Sequence, residues 1–311
     1  MKKKILPKSL THKFSDDDCE ISYTHLHHNP NFPTVVVLHA LTGNSEVTGE
    51  NGWWKEIIGE HKVIDTNRYN ILAIDTLGNG FFTQTHEVIQ NIDQLRIQDI
   101  AKINLWLLNE LQLTTIHSLV GGSLGGAIAW EMWHLNPNMF QQIICIGAHP
   151  FEDHWIKAST YLQKQLLHQN DKGYEQARMW SMLFYRNALG IDEKFKNSTQ
   201  SIESWLDYHG NSLKQRFSKK SYEIMNHLLG SIGKDLNKTE VLQTAKNNTT
   251  NIVVVSISTD WLFHPQHQID WVNELQQVHS NVQHHSLESI HGHDAFLIEF
   301  ERLEKILTPY L

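Results

Sequence analysis

The sequence has few cysteines, no long uninterrupted apolar run and no excess of positive charge. Its two cysteines, Cys19 and Cys145, are far apart in the 311 residues, which predicts free thiols in a reducing compartment. No apolar stretch follows the basic residues near the N-terminus, so we expect no signal peptide. The most apolar long window, residues 116–133, contains glycines and Glu131 and does not predict a membrane span. We therefore expect a cytoplasmic protein without a membrane partner.

The charge balance excludes further function classes. Lys and Arg number 26 against 34 Asp and Glu, and the formal net charge of −8 argues against a nucleic-acid or anionic-lipid surface. A hydrophobic content of 40% and ten Trp residues indicate a well-packed globular chain rather than a disordered one. A length of 311 residues suits one large α/β domain or a core with an inserted subdomain.

One short segment, residues 120–126 (Val-Gly-Gly-Ser-Leu-Gly-Gly), carries the clearest chemical signal. The apolar stretch at 116–120 is typical of a buried strand, and helix-forming residues follow the glycines. The segment therefore matches G-x-S-x-G in a strand–turn–helix context, where a strained turn exposes a nucleophilic serine, here Ser123, at a helix N-terminus. The spacing does not match the glycine patterns that bind phosphates. A glycine turn that only packs a helix against a strand is the alternative.

Strand and helix patterns alternate along most of the chain, which predicts a mostly parallel sheet flanked by helices. Between about residues 151 and 245 the pattern is instead almost wholly helical. We therefore predict an α/β core in two parts, 1–149 and 250–311, with an inserted helical lid at 150–249. The expected core strands are 34–38, 70–75, 116–120, 142–147, 251–257 and 282–287, and the expected core helices are 97–111, 127–135, 266–276 and 294–307.

The sequence also places an acid and a histidine where a reactive serine needs them. An activated serine requires a base within hydrogen-bond reach and a carboxylate that orients this base. Asp260 follows the strand expected at 251–257, and His293 follows the strand expected at 282–287. Each has an ordinary alternative, a helix N-cap for Asp260 and a surface loop position for His293. Three matches in the order serine, acid, histidine favour a catalytic triad.

Metal binding is a competing use of two histidine-containing segments. The segment 291–294 (His-Gly-His-Asp) has no further ligand cluster in view. His25, His27 and His28 lack acid or thiol partners at ligand spacing. We therefore predict no metal site.

Further segments, spread from about residue 34 to residue 300, form an ordered set with the serine motif. They are 38–43 (Leu-His-Ala-Leu-Thr-Gly), 52–54 (Gly-Trp-Trp), 64–69 (Ile-Asp-Thr-Asn-Arg-Tyr), 177–179 (Ala-Arg-Met), 203–206 (Glu-Ser-Trp-Leu), 216–217 (Arg-Phe) with 221–222 (Ser-Tyr), 260–263 (Asp-Trp-Leu-Phe) and 292–297 (Gly-His-Asp-Ala-Phe-Leu). Together with 121–126, this set resembles the homoserine O-acetyltransferases of the α/β-hydrolase fold. The combination is far more specific than the serine motif alone.

The resemblance implies a role for each matched position. It makes Ser123 the nucleophile, His293 the base and Asp260 the acid that orients the base. The other matched positions are Leu41 and Leu124, as backbone donors to the oxyanion, and Arg178 and Asp294, as the groups that hold an amino acid's carboxylate and amine.

The reaction that the resemblance implies is transfer of an acetyl group from acetyl-CoA to the hydroxyl of L-homoserine, a step of methionine biosynthesis. Acetyl-CoA would be a co-substrate, no cofactor would stay bound, and the enzyme would be a cytoplasmic homodimer. The open alternatives are an esterase, an acyltransferase that uses serine as acceptor or succinyl-CoA as donor, and a non-catalytic scaffold of the same fold. Arg178 and Asp294 favour an amino-acid acceptor, whereas the complete set of serine, acid and histidine argues against the scaffold.

Overall fold

A mostly parallel eight-stranded sheet forms the centre of the chain in the computed structural model, which describes residues 1–26 and 29–311. His27 and His28, considered above as metal ligands, lie outside the described residues. The strands are β1 (Lys2–Ile5), β2 (Glu20–Leu26), β3 (Thr34–Leu38), β4 (Ile58–Gly59), β5 (Ile64–Asp65), β6 (Asn70–Ile74), β7 (Ile116–Gly122), β8 (Phe140–Ile146), β9 (Asn251–Ile257) and β10 (Val282–Leu287).

The strands of the large sheet follow the order β1-β2-β6-β3-β7-β8-β9-β10, and β4 pairs with β5 separately. The pairs β1–β2 and β2–β6 are antiparallel, while the neighbours from β6 to β10 are parallel. In this register Leu38 lies beside Gly121, and Gly121 lies beside Cys145. The carboxyl ends of these strands therefore meet at one edge, where ligands bind in open α/β sheets.

Helices cover both faces of the sheet because its central strands are apolar on both sides. All five residues of β3 are buried. Val35 and Val37 belong to one hydrophobic cluster, while Val36 and Leu38 belong to a second one on the opposite face. The α-helices are α1 (Lys8–Thr11), α2 (Thr85–Val88), α3 (Ile97–Glu110), α4 (Leu124–Leu135), α5 (His154–Gln169), α6 (Gly173–Tyr185), α7 (Ala188–Phe195), α8 (Ile202–Arg216), α9 (Lys219–Gly230), α10 (Lys238–Lys246), α11 (Pro265–Gln276) and α12 (Phe300–Leu307), with 3-10 turns at Ile92–Gln94, Pro137–Met139, Gly292–Leu297 and Thr308–Tyr310.

Six helices, α5 to α10, lie between β8 and β9, and the described chain contains no strand in this stretch. Within the insertion α6 packs against both α5 and α8, and α9 packs against α5. The predicted fold, a mostly parallel sheet with a helical insertion, is confirmed. The limits drawn at 149 and 250 stay a prediction. Throughout residues 1–26 and 29–311, no helix has the length and apolar character needed to cross a membrane.

The continuous helix predicted at 294–307 is wrong. A 3-10 turn covers Gly292–Leu297, the backbone leaves the helical conformation at Glu299 (φ −88°, ψ 53°), and α12 begins at Phe300. The apolar spacing looks continuous because both pieces bury apolar side chains in the same cluster. The helix after the serine also starts earlier than predicted, at Leu124 rather than at residue 127.

Candidate active site

The turn between β7 and α4 holds Ser123 in a strained conformation. Its φ is +56° and its ψ −124°, a region that L-residues rarely adopt. Neighbouring glycines make this turn possible, because a Cβ on Gly121 would lie 2.3 Å from the carbonyl oxygen of Gly125. A Cβ on Gly125 would lie 2.3 Å from the carbonyl oxygen of Leu38. The backbone N–H of Ser123 donates to Ile146 O at 2.8 Å, which ties the turn to β8.

Three side chains from distant parts of the chain form a hydrogen-bonded row. His293 Nε2 lies 2.8 Å from Ser123 Oγ, and His293 Nδ1 lies 2.7 Å from Asp260 Oδ2. The other carboxylate oxygen of Asp260 accepts the backbone N–H groups of Leu262 and Phe263 at 2.8 and 2.9 Å. A carboxylate can only accept, so Nδ1 carries the proton and Nε2 is left to accept from the serine hydroxyl. The structure thus brings together the three residues predicted to form a triad.

The histidine of this row is buried among aromatic rings. Phe263 stacks on His293 with ring centroids 5.5 Å apart, and Tyr185 and Phe296 lie within 6.0 Å. Burial by itself would lower the pKa of His293, but the charge of Asp260, its hydrogen bond and the charge of Asp294 outweigh burial. The pKa of His293 is therefore raised above its ordinary value.

A cavity of about 160 Å³ opens above the serine. Leu41, in the loop after β3, lines it, and Leu124 is the first residue of α4. The first N–H groups of a helix have no partner within the helix, so the Leu124 N–H is available to a ligand. Both residues predicted as oxyanion donors therefore adjoin Ser123.

The same cavity is lined by both side chains predicted to hold the substrate, Arg178 from α6 and Asp294 from the turn after β10. The guanidinium of Arg178 lies 5.3 Å from the ring centre of Tyr185. Among the described residues, Arg178 Nε and the Tyr185 hydroxyl are buried and have no hydrogen-bond partner. Two unsatisfied polar groups at a cavity indicate a polar ligand, since such groups are costly to bury alone.

Three residues at this cavity or beside it were missed by the sequence interpretation. Arg186 forms an ion pair with Asp294, with Nε 3.0 Å from Oδ2. Arg216 lines the cavity and donates to the carbonyl oxygen of Thr42 at 3.0 Å. The third is Tyr185. Arg216 lies in a segment matched above, and Tyr185 and Arg186 lie in the stretch predicted to be almost wholly helical. Their contacts join separate elements and leave no local signal in the sequence.

The alternative roles for these residues do not match their contacts. The N-cap of α11 is His264, whose side chain accepts from Gln266 N, so Asp260 does not cap that helix. His293 is 3% exposed, which is not a surface loop position. Within the part of the chain that the structure describes, no group of three His, Cys, Asp or Glu side chains is arranged to hold a metal ion.

Comparisons with known proteins agree with this architecture. A family model described as alpha/beta hydrolase fold matches residues 33–289. A homoserine O-acetyltransferase of Methanococcus vannielii is 28% identical over 324 aligned residues, covering 89% of this chain and 65% of that protein. The chain therefore spans about two thirds of the length of this relative.

Two solved structures have the same fold. The crystal structure of homoserine O-acetyltransferase from Staphylococcus aureus has a TM-score of 0.83 at 24% identity and covers 99% of this chain and 94% of that one. The crystal structure of an esterase also has a TM-score of 0.83, at 16% identity, and covers 99% of both chains. The fold alone therefore fits both activities.

Proposed function

Because the chain belongs to the alpha/beta hydrolase fold family, we propose that it is an acyltransferase that moves an acetyl group from acetyl-CoA to the hydroxyl of L-homoserine. One observation carries the proposal. The cavity above Ser123 is also lined by Arg178 and Asp294, a cation and an anion whose charges complement the carboxylate and the ammonium of an amino acid. A plain esterase needs neither charge.

In the first half-reaction, Ser123 Oγ attacks the thioester carbonyl while His293 Nε2 takes the hydroxyl proton. The N–H groups of Leu41 and Leu124 stabilise the negative oxygen of the tetrahedral intermediate. Collapse of this intermediate breaks the carbon–sulfur bond, and His293 returns its proton to the departing thiolate. The products are acetyl-Ser123 and free CoA.

In the second half-reaction, His293 takes the proton of the homoserine hydroxyl as this oxygen attacks the acetyl-Ser123 carbonyl. Collapse of the second intermediate releases O-acetyl-homoserine, and the proton returns to Ser123 Oγ. Transfer exceeds hydrolysis only if the acceptor is held close and water is excluded, because both nucleophiles compete for one ester.

The charged groups of the cavity supply this hold on the acceptor. Arg178 Nε and the Tyr185 hydroxyl, both unsatisfied among the described residues, are proposed to bind the acceptor carboxylate. The carboxylate of Asp294, whose Oδ2 lies 3.0 Å from Arg186 Nε, is proposed to receive the acceptor's ammonium.

The test is release of free CoA thiol from acetyl-CoA, measured with and without L-homoserine. The proposal predicts sustained release only with homoserine, with L-serine and succinyl-CoA as the competing acceptor and donor. Ser123→Ala should abolish release under every condition. Sustained release without homoserine would contradict the transferase and select an esterase, which the fold fits equally well.

A further inference from the structure

We propose that His39 is a positioning residue for the oxyanion hole, because it fixes the peptide plane that carries the Leu41 N–H. The inference rests on the proposed function in one respect only, that Leu41 donates to the oxyanion. It applies equally to a transferase and to an esterase, since both pass through a tetrahedral intermediate.

The hydrogen bonds of the His39 ring determine where its proton lies. The backbone N–H of Thr76 donates to His39 Nε2 at 2.9 Å, and Asn79 Nδ2 lies 3.4 Å from the same nitrogen. A backbone N–H can only donate, so Nε2 is an acceptor. In a neutral imidazole the proton is then on Nδ1, which lies 2.6 Å from the carbonyl oxygen of Ala40 and must donate to it. The ring is only 1% exposed, and this burial lowers the pKa of His39, which keeps it neutral.

The carbonyl of Ala40 belongs to the same peptide unit as the Leu41 N–H. This carbonyl oxygen accepts a second bond, from the backbone N–H of Gly43 at 2.9 Å. In a trans peptide the C=O and N–H lie in one plane and point in opposite directions. Two donors on the carbonyl side therefore fix the direction of the N–H on the other side. Among the described residues, the Leu41 N–H has no acceptor of its own, and Leu41 lines the cavity above Ser123.

A buried carboxylate holds the other end of the loop. Asp75 is 1% exposed and accepts from both the backbone N–H and the hydroxyl of Ser45, at 2.8 and 2.9 Å. It also accepts from Ser22 Oγ at 2.7 Å and Asn79 Nδ2 at 3.0 Å. The residues after β6 thus bind the loop that follows β3 at two points. Asp75 bonds to Ser45, and Thr76 bonds to His39. Only the second contact reaches the peptide of Leu41.

Two substitutions separate the two bonds of the ring. In His39→Asn the amide nitrogen replaces Nδ1 and keeps the donor to Ala40 O, but the acceptor for Thr76 is lost. In His39→Gln the longer side chain reaches the position of Nε2 and keeps that acceptor, but the donor to Ala40 O is lost. His39→Asn leaves the Thr76 N–H without an acceptor, whereas in His39→Gln the Ala40 carbonyl oxygen keeps the bond from the Gly43 N–H, so His39→Asn should lose at least as much thermal stability as His39→Gln. A merely structural role would therefore lower kcat in His39→Asn at least as much as in His39→Gln.

The assay is Ser123-dependent release of p-nitrophenol from p-nitrophenyl acetate with L-homoserine present to regenerate Ser123, with kcat and KM measured separately and thermal unfolding recorded for each variant. His39→Gln should lower kcat roughly 10- to 100-fold with little change in KM, because a misdirected oxyanion donor affects only the transition state. His39→Asn should stay within a few-fold of the natural enzyme. The control is His279→Asn, which removes another buried histidine, 2.7 Å from the carbonyl oxygen of Thr250, and should lower stability without lowering kcat.

Equal loss of kcat in both His39 variants, or no loss in His39→Gln, would overturn the inference while leaving the proposed function intact. Absence of Ser123-dependent p-nitrophenol release from the natural protein, both as a first burst and with L-homoserine present, would instead overturn the proposed function and this role with it. If either variant does not fold, ¹⁵N NMR of the natural protein decides. A proton on His39 Nδ1 supports the role, and a proton on Nε2 contradicts it.

Discussion

His293 is surrounded by aromatic rings, yet the carboxylates of Asp260 and Asp294 hold its pKa above the ordinary value of 6.5. Only the neutral imidazole can take the proton of Ser123. On acidification the neutral fraction of His293 falls at a higher pH than it would for a histidine with an ordinary pKa. The proposed activity should therefore be lost at that higher pH.

The rate of acylation by acetyl-CoA should therefore fall on acidification with a midpoint above pH 6.5. Single-turnover measurements across the pH range check this. Asp294→Asn removes one of the charges that raise the pKa of His293, and it should move the midpoint to lower pH without removing a triad member. A midpoint below 6.5, or one that Asp294→Asn leaves unmoved, would contradict this account of the site's electrostatics.

At the scale of one element, α4 combines two features with opposite effects on stability. The helix begins directly after Ser123. It is stabilised by apolar residues such as Ile128 and Trp133, which it buries in the core. It also buries Glu131, which is 1% exposed and whose carboxylate oxygens have no hydrogen-bond partner among the described residues. Burial raises the pKa of Glu131 to about 7.

Glu131→Gln should stabilise the protein at alkaline but not at acidic pH. Near pH 5 the carboxyl of Glu131 keeps its proton in the native state. Toward pH 8 the same carboxyl ionises freely in the unfolded chain, where its pKa is ordinary, and this ionisation stabilises the unfolded chain more than the native state. Because protonation and unfolding are linked, the variant's gain in free energy of unfolding over the natural protein should be about 2 kcal/mol larger at pH 8 than at pH 5. Urea unfolding at both pH values measures it, with Glu240→Gln on an exposed helix face as the control. An equal effect at both pH values would show that Glu131 is not protonated in the native state.

Elements with a continuous apolar pattern could be predicted from the sequence, and elements shaped by the site could not. The strand at 34–38 was predicted with its observed limits because a parallel strand covered on both faces needs an unbroken β-branched run. The break before Phe300 gave no such signal, since apolar spacing continues across it. The 3-10 turn Gly292–Leu297 lies just before this break and places His293 beside Ser123. The wrong prediction therefore concerns a segment whose backbone is shaped by the candidate site.

At the scale of the whole molecule, the candidate site joins the sheet edge to the helical insertion. The hydrogen-bonded row of Ser123, His293 and Asp260 was predictable because its three members follow strands, and the carboxyl ends of parallel strands meet. The ion pair of Arg186 with Asp294 was not predictable, because it depends on how α6 sits above the turn after β10. The homodimer implied by the resemblance stays a prediction.

Arg178→Ala tests whether the insertion selects the acceptor. Loss of a partly desolvated ion pair should lower kcat/KM for homoserine by about two to three orders of magnitude. Acylation by acetyl-CoA alone should change far less, because that half-reaction contains no amino-acid carboxylate. Arg68→Ala is a matched control, since Arg68 also lies 5.3 Å from a tyrosine ring, that of Tyr69, but does not line the cavity. Equal damage to both half-reactions would contradict the carboxylate role.

The most direct measurement of the central claim is mass spectrometry of the protein after brief mixing with acetyl-CoA, followed by addition of L-homoserine. We predict one acetyl adduct on the peptide that contains Ser123, none in Ser123→Ala, and loss of the adduct on addition of homoserine with formation of O-acetyl-homoserine. An adduct on another residue, or an adduct on Ser123 that decays at the same rate with and without homoserine, would contradict the account.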